Sequence, residues 1–323
     1  MTSRQRYLMR ARLKGILIKR RKRKMRKRSS ELKALMIFFL FIFILVFVAP
    51  VVIIMLVDSD VEEKDLSKEI YVPYKYLKSA YIKANKEEIS FSKLLTYSAC
   101  EAGFLADGYS HSVLRRAVKA AKENQEMTEY QKKLFRIYSK VFDDIKVGPI
   151  PEKSDIYIWD VKKGKWKKQE SKSYSYTSTN DFGAARTYGG DRKHEGNDII
   201  ADMSTPIVTM TDGEITRLGW NEYGGQRVGI TSSKGTYFYY AHMSRYADGI
   251  VKGKRVKAGD VIGYVGDTGY GPPGTRGQII PHLHVQIGYK LENSSKGYTW
   301  FNPYDVVKFL DDYRVTLIEK IEE

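Results

Sequence analysis

Cysteine is almost absent from this sequence. The 323 residues contain one, Cys100, which excludes a disulfide framework and a zinc cluster built from cysteines within the chain. Histidine is nearly as scarce, with five residues. Acid is missing from one stretch in particular. Residues 1–33 hold fifteen Lys and Arg against the single Glu31, a net of +14, so most of the chain's net charge of +17 is concentrated there. The other 290 residues carry forty bases and thirty-seven acids. That near balance argues against a nucleic-acid-binding surface spread over the fold, and no nucleic-acid partner is expected. With 42% hydrophobic residues and 13% aromatics the chain has the means to bury a core, and no internal repeat is evident.

Charge of either sign is missing from Ala34 to Val57, ALMIFFLFIFILVFVAPVVIIMLV. As a helix these residues would span about 36 Å at 1.5 Å each, enough to cross a hydrocarbon layer of about 30 Å with some tilt. Pro50 is tolerated in such a helix. The run exceeds the usual apolar core of a cleaved signal peptide, no small-x-small site follows before Asp58, and no cysteine stands at its end to carry a lipid. Residues 34–57 are therefore read as one uncleaved transmembrane helix. The basic arm 1–33 stays on the cytoplasmic side, and the remainder is delivered outside the membrane. Fifteen bases exceed what topology needs, so contact with anionic lipid is a further expectation for the arm.

From residue 58 to 145 the pattern is helical and polar. Thr128–Gln131 forms a capping-box signature ahead of Leu134, Tyr138, Val141 and Ile145, which share a helical face. Further helices are expected over 90–102 and 112–122. Glu101 and His111 read as solvated side chains, and the region as a small helical module or stalk. Residues 146–181, with Pro149, Pro151, KKGKWKK and SKSYSYTSTN, read as a linker carrying one short hairpin at 156–166. A domain over 182–310 and a helical tail over 311–323 complete the chain.

Past Asp181 the composition turns to Gly, Tyr, Val, Ile and Thr, and short apolar runs such as RVGITSS and TYFYYAHMS predict strands. Four of the five histidines fall here, within the 91 residues from His194 to His284. In HEGND, Gly196 and Asn197 disfavour a helix. On a strand His194, Gly196 and Asp198 share a face, the small Gly leaving room for an ion. In PHLHVQIGY, His282, His284 and Gln286 face one side and Leu283, Val285 and Ile287 the other. Two histidines on one face of a half-buried strand are costly unless something binds them. His242 stands at the end of the aromatic strand YFYYAHMS. Nitrogen and carboxylate donors without cysteine suit Zn²⁺ in an open site with three protein ligands, though spacing alone does not say which histidine plays which part.

HEGND, YYAHMS, VKAGDVIGYVGDTG and PHLHV, in that order, resemble the lysostaphin/LytM-type zinc metalloendopeptidases of bacterial cell walls, over roughly 181–304. The resemblance implies a mainly antiparallel β-sheet domain with a long groove, one Zn²⁺ per chain, and hydrolysis of peptide bonds in peptidoglycan. It implies His194, Asp198 and His284 as metal ligands, His282 as general base and His242 as an aid to the developing oxyanion. Here 270–280, YGPPGTRGQII, lengthens the usual run between G-x-T-G and P-H-L-H and is expected to form one lip of the groove. The whole reads as a single-pass, membrane-anchored wall peptidase with its C-terminal domain outside the cytoplasm. The alternative is a zinc-binding scaffold of the same family that regulates or tethers other wall or sporulation proteins.

Overall fold

This computed structural model describes residues 71–188, 190–290 and 297–322. The basic arm 1–33, the apolar segment 34–57 and the start of the 58–145 region lie outside the described residues. Among those described, no helix is long and apolar enough to cross a membrane.

Four helices open the described chain: α1 (Tyr74–Glu87), α2 (Phe91–Ala102), α3 (His111–Lys122) and α4 (Glu129–Phe142). Local chemistry sets their ends. The hydroxyls of Ser90 and Ser110 accept the N–H groups of Lys93 and Val113. At α4, Thr128 and Gln131 complete the capping box in both directions. Helix α2 stops at Gly103, whose φ of 61° is left-handed and is adopted most readily by glycine. Leu134, Ile137, Tyr138 and Val141 form the buried stripe of α4, while Ile145 lies beyond its last turn.

Fifteen strands follow among the described residues. β1 (Lys153–Asp160), β2 (Lys165–Ser173) and β15 (Thr316–Ile321) form one sheet, and β4 (Ala185–Arg186) and β5 (Arg192–Lys193) a small ribbon. The main sheet runs β11 (Arg255–Val256), β8 (Gly213–Asn221), β9 (Gly225–Thr231), β10 (Tyr237–Tyr246), β13 (His282–Tyr289), β6 (Asn197–Ile200), β3 (Thr177–Ser178). β12 (Val261–Val265) pairs with β10 and with β7 (Pro206–Val208), and β14 (Thr299–Phe301) pairs with β13. Every pairing in the main sheet is antiparallel. Along β13 the expected alternation holds, with Leu283, Val285 and Ile287 fully buried on one face.

Three expectations are corrected. The supposed linker 146–181 is largely strand: Trp159 and Trp166 face each other across the β1–β2 hairpin with ring centroids 5.4 Å apart. The supposed helical tail 311–323 is a short 3-10 turn at Asp311–Tyr313 followed by β15, which pairs parallel to β1 with Lys153 opposite Thr316. The Arg314 guanidinium fastens this return by donating to the carbonyls of Ile150 at 3.0 Å and Pro151 at 2.7 Å. Nor do α1–α4 form a stalk. The Tyr74 N–H donates to Asp305 Oδ1 at 2.8 Å at the start of α5 (Tyr304–Leu310), and Tyr81 packs edge-on against Phe309 and Tyr313. On α4, the Lys140 carbonyl accepts the Thr236 hydroxyl at 2.6 Å. The helices and sheets make one unit.

Candidate metal centre

Register brings the first two donors together. β6 and β13 pair with Asp198 directly opposite His284, and Asp198 Oδ1 lies 2.9 Å from His284 Nδ1. His194, four residues ahead of Asp198, turns its Nε2 to within 3.2 Å of the same oxygen and 2.9 Å of His284 Nδ1. Gly196 makes the approach possible. A Cβ there would stand 2.6 Å from His284 Cε1 and 2.5 Å from the Val285 carbonyl. The missing side chain thus leaves room for the His284 ring, rather than for an ion as its spacing between His194 and Asp198 had suggested.

The other two histidines close on this cluster. His282 Nε2 is 3.6 Å from Asp198 Oδ1, and its Nδ1 is engaged by the Ile280 carbonyl at 2.8 Å. The His242 and His282 rings are 4.5 Å apart. His242 arrives through an irregularity in β10. The register with β9 shifts between Tyr240 and Met243, and His242 takes the left-handed φ of 62°. Such a break re-aims a side chain that simple alternation would send elsewhere. The Thr268 carbonyl, in the D-T-G turn, holds His242 Nδ1 at 2.7 Å and leaves Nε2 unengaged by that contact. All five sequence-derived residues, His194, Asp198, His242, His282 and His284, therefore meet in one place.

The cluster divides its charge unevenly. Burial works against a charged His194, yet the hydrogen bonds it gives to the Asp181 and Asp198 carboxylates raise it to about 9. Burial likewise opposes ionisation of Asp198, and the His194 and His284 contacts overcome it and hold the carboxyl far below its ordinary range. His284 is lowered by burial, and His242 well lowered by burial and by its imidazole neighbours. Two imidazole nitrogens and an ionised carboxylate oxygen, all three within 4.8 Å of one another, are a donor set that fits Zn²⁺.

Asp181 and Arg186 belong to the site and were not singled out in the sequence. His194 Nδ1 sits 3.1 Å from Asp181 Oδ2, and Arg186 Nη2 reaches Asp181 Oδ2 at 3.0 Å and Asp198 Oδ2 at 3.1 Å. Asp181 Oδ1 also accepts from the Asn197 amide at 2.9 Å. A carboxylate on the far nitrogen of a ligating imidazole fixes its tautomer and raises its basicity. Arg186 engages the Asp198 oxygen turned away from the cluster. Asp181 ends a run of Ser, Thr and Asn thirteen residues before His194, where nothing local distinguishes it from a turn residue.

The cluster opens into a groove of about 400 Å³. Tyr270, the first residue of the lengthened loop, lies parallel to the His242 ring at 5.8 Å, and Trp220 Nε1 donates to the Gly271 carbonyl at 3.0 Å. Tyr270 lines the groove, and the Gly271 contact fixes the start of the loop beside it.

Residues 192–296 match the family described as Peptidase family M23. The chain is 38% identical over 181 residues to the L-Ala--D-Glu endopeptidase of Bacillus subtilis (strain 168), covering 56% of this chain and 48% of that protein. It is 33% identical over 117 residues to lysostaphin of Staphylococcus simulans, covering 36% of this chain and 21% of that protein. The chain thus spans about half or less of the curated relatives' lengths. Among solved structures, a lytM-designated protein from Ruminococcus gnavus ATCC 29149 is 31% identical, with a TM-score of 0.56 over 76% of this chain and 88% of that one. This last likeness reaches well past the third of the chain that the family match covers.

Proposed function

Because this chain belongs to peptidase family M23, of the lysostaphin/LytM type, we propose that it is a zinc-dependent endopeptidase that hydrolyses peptide bonds of peptidoglycan. The observation that carries the reading is the convergence of His194 Nε2, Asp198 Oδ1 and His284 Nδ1, each within 3.2 Å of the other two. These three atoms would hold the ion. When bound, Zn²⁺ supplies a Lewis acid that polarises a carbonyl and acidifies water near neutral pH. His282, with Nδ1 engaged by a carbonyl, presents Nε2 to take a proton from the attacking water. His242, held neutral by its burial and fixed through Nδ1, presents Nε2 to the oxygen that gains charge and assists there. Gly196 and Arg186 keep the His284 ring and the Asp198 carboxylate in place.

The same proposal places the protein at the cell membrane. Residues 34–57 supply a single span, the arm 1–33 stays in the cytoplasm with room for anionic-lipid contact, and the peptidase domain lies outside, facing the wall peptides. Composition supports this part: a 24-residue uncharged run behind fifteen bases.

The test uses the full chain and its His282→Ala variant on purified peptidoglycan, with and without a strong chelator, reading newly freed amino groups. Release that needs both His282 and metal is the expected result. No release from several wall types by a zinc-loaded chain would favour a scaffold instead.

A further inference from the structure

The groove floor carries positive charge that the metal cluster does not use. Arg217, Gly229, Tyr239 and Gln286 form one rung across β8, β9, β10 and β13. Gln286 is two residues along β13 from His284, about 7 Å at the usual strand rise. Gly229 has a steric reason. A Cβ there would sit 2.0 Å from the Tyr237 hydroxyl, so the missing side chain lets the Tyr237 phenol lie across the floor. Arg227, opposite Gly219 on the neighbouring rung, stands with Cζ 6.0 Å from the Tyr239 ring. The His284 ring lies 6.0 Å from that same ring, which puts Arg227 within about 12 Å of His284, at most about four residues of extended peptide.

Both arginines lack an anionic partner. Among the described residues no carboxylate lies within ion-pair distance of either; Arg227 is hydrogen-bonded to the Tyr237 side chain, and both arginines line the groove. Burial pushes the Tyr237 hydroxyl up and the Arg227 and Arg217 charges oppose it, so both act on the same point of the floor. Arg192, further along the groove, differs: it stacks over Tyr223 at 4.7 Å and its charge acts on Glu195. A half-buried guanidinium on the wall of a groove, with no carboxylate of its own, is a fork shaped for one.

We propose that Arg227 and Arg217 form a subsite for a free carboxylate of the substrate peptide, within about four residues of the bond that is cut. The proposal rests on the endopeptidase reading above and narrows it: wall peptides bearing a carboxylate beside the scissile bond are preferred over neutral bridges such as oligoglycine. Two carboxylates of a stem peptide supply that chemistry, the α-carboxylate of an internal D-Glu and the C-terminal one.

The test compares peptides of identical sequence with both carboxylates free, with only the D-Glu carboxylate amidated, or with only the C-terminus amidated. The full zinc-loaded chain is set beside Arg227→Gln, Arg217→Gln and Arg227→Lys. Circular dichroism and zinc content establish that each variant is folded and loaded. The wild type is expected to lose about tenfold to a hundredfold in kcat/KM on one of the amidated peptides, the range of a charge-assisted hydrogen bond; which one names the source. In Arg227→Gln the ratio between free and amidated peptide falls toward one, carried mainly by KM, and Arg227→Lys restores part of it. Arg217→Gln, a more exposed position, lowers the ratio less. Equal kcat/KM on all three peptides in the wild type, or an unchanged ratio in both Gln variants, overturns the subsite. If no peptide is cut, the endopeptidase reading fails on its own. Anisotropy titrations of the same labelled peptides then decide the subsite separately: tighter binding of the free carboxylate, lost in Arg227→Gln, supports it, and equal binding overturns it.

Discussion

In helices α1–α4 the charged side chains meet at the surface in simple pairs. Lys83 and Lys122 flank Glu87 at 2.7 and 2.8 Å, Arg116 meets Glu101 at 2.6 Å, and Lys132 meets Glu129 at 2.7 Å. In the groove of the main sheet, His194, His242 and His282 are each 7% exposed or less; His194, His282 and His284 crowd the Asp198 carboxylate, Arg186 engages it too, and His194 meets a second acid, Asp181. Surface pairs of the first kind contribute about 0–1 kcal/mol each and cost little to form. Withdrawing several ionisable groups from water costs several kcal/mol per charge unless a partner offsets it. A fold that gathers five such groups around one point has been shaped by what binds there, whereas the helices are shaped by packing. The difference separates function from scaffolding within one continuous unit.

Substitutions sharpen that contrast. Asp198→Ala should have the largest effect, abolishing zinc binding in a metal-content assay and peptide release with it, because it removes the oxygen that both His194 and His284 approach. Leu134→Ala, in the fully buried stripe of α4, should cost about 2–5 kcal/mol of stability in denaturant melts, with zinc affinity of the folded protein unchanged. A large loss of zinc affinity there would dissolve the separation between the two regions. Asp181→Ala should weaken zinc affinity by about ten- to a hundredfold in chelator competition, with partial recovery in Asp181→Asn, whose amide oxygen still accepts from His194 Nδ1.

The smallest effect belongs to the helices. Hydrogen bonds from Lys122 and then Lys83 lower Glu87 to about 2, against an ordinary 4.5. A lowered carboxyl contributes stability that is present above its ordinary value and is lost as pH falls toward the lowered one. The Glu87→Gln variant should therefore be slightly less stable than wild type at neutral pH and match it near pH 2, read as urea midpoints. Because Glu87 is at the surface, the gap is small; a large gap would mean that surface pairs carry more of the helical module than their exposure allows.

Much of this was legible in the chain. The capping box at Thr128, the serine caps and the alternation in PHLHVQIGY are local signals, and the structure follows them. The five site residues could be singled out because histidine is so scarce and lies at strand spacing. What escaped depends on distant partners. β2 is exposed at almost every position, so it shows no alternation. β15 finds its place only by pairing with β1 more than 160 residues earlier. TLIEKI by itself suits a helix or a strand. Asp181 and Arg186 escaped for the same reason, since their role exists only once His194 and Asp198 have been brought beside them. Arg217 and Arg227 are ordinary strand charges in sequence; only the pairing of four strands puts Arg217 on the rung of Gln286, with Arg227 on the rung beside it.

The most direct measurement is a crystal of the zinc-loaded protein with anomalous data collected at the zinc edge. One peak is expected at about 2.0–2.2 Å from His194 Nε2, Asp198 Oδ1 and His284 Nδ1, with His282 and His242 outside the coordination sphere. A peak ligated by His282 in place of one of these three, or no peak at the cluster, would contradict the account.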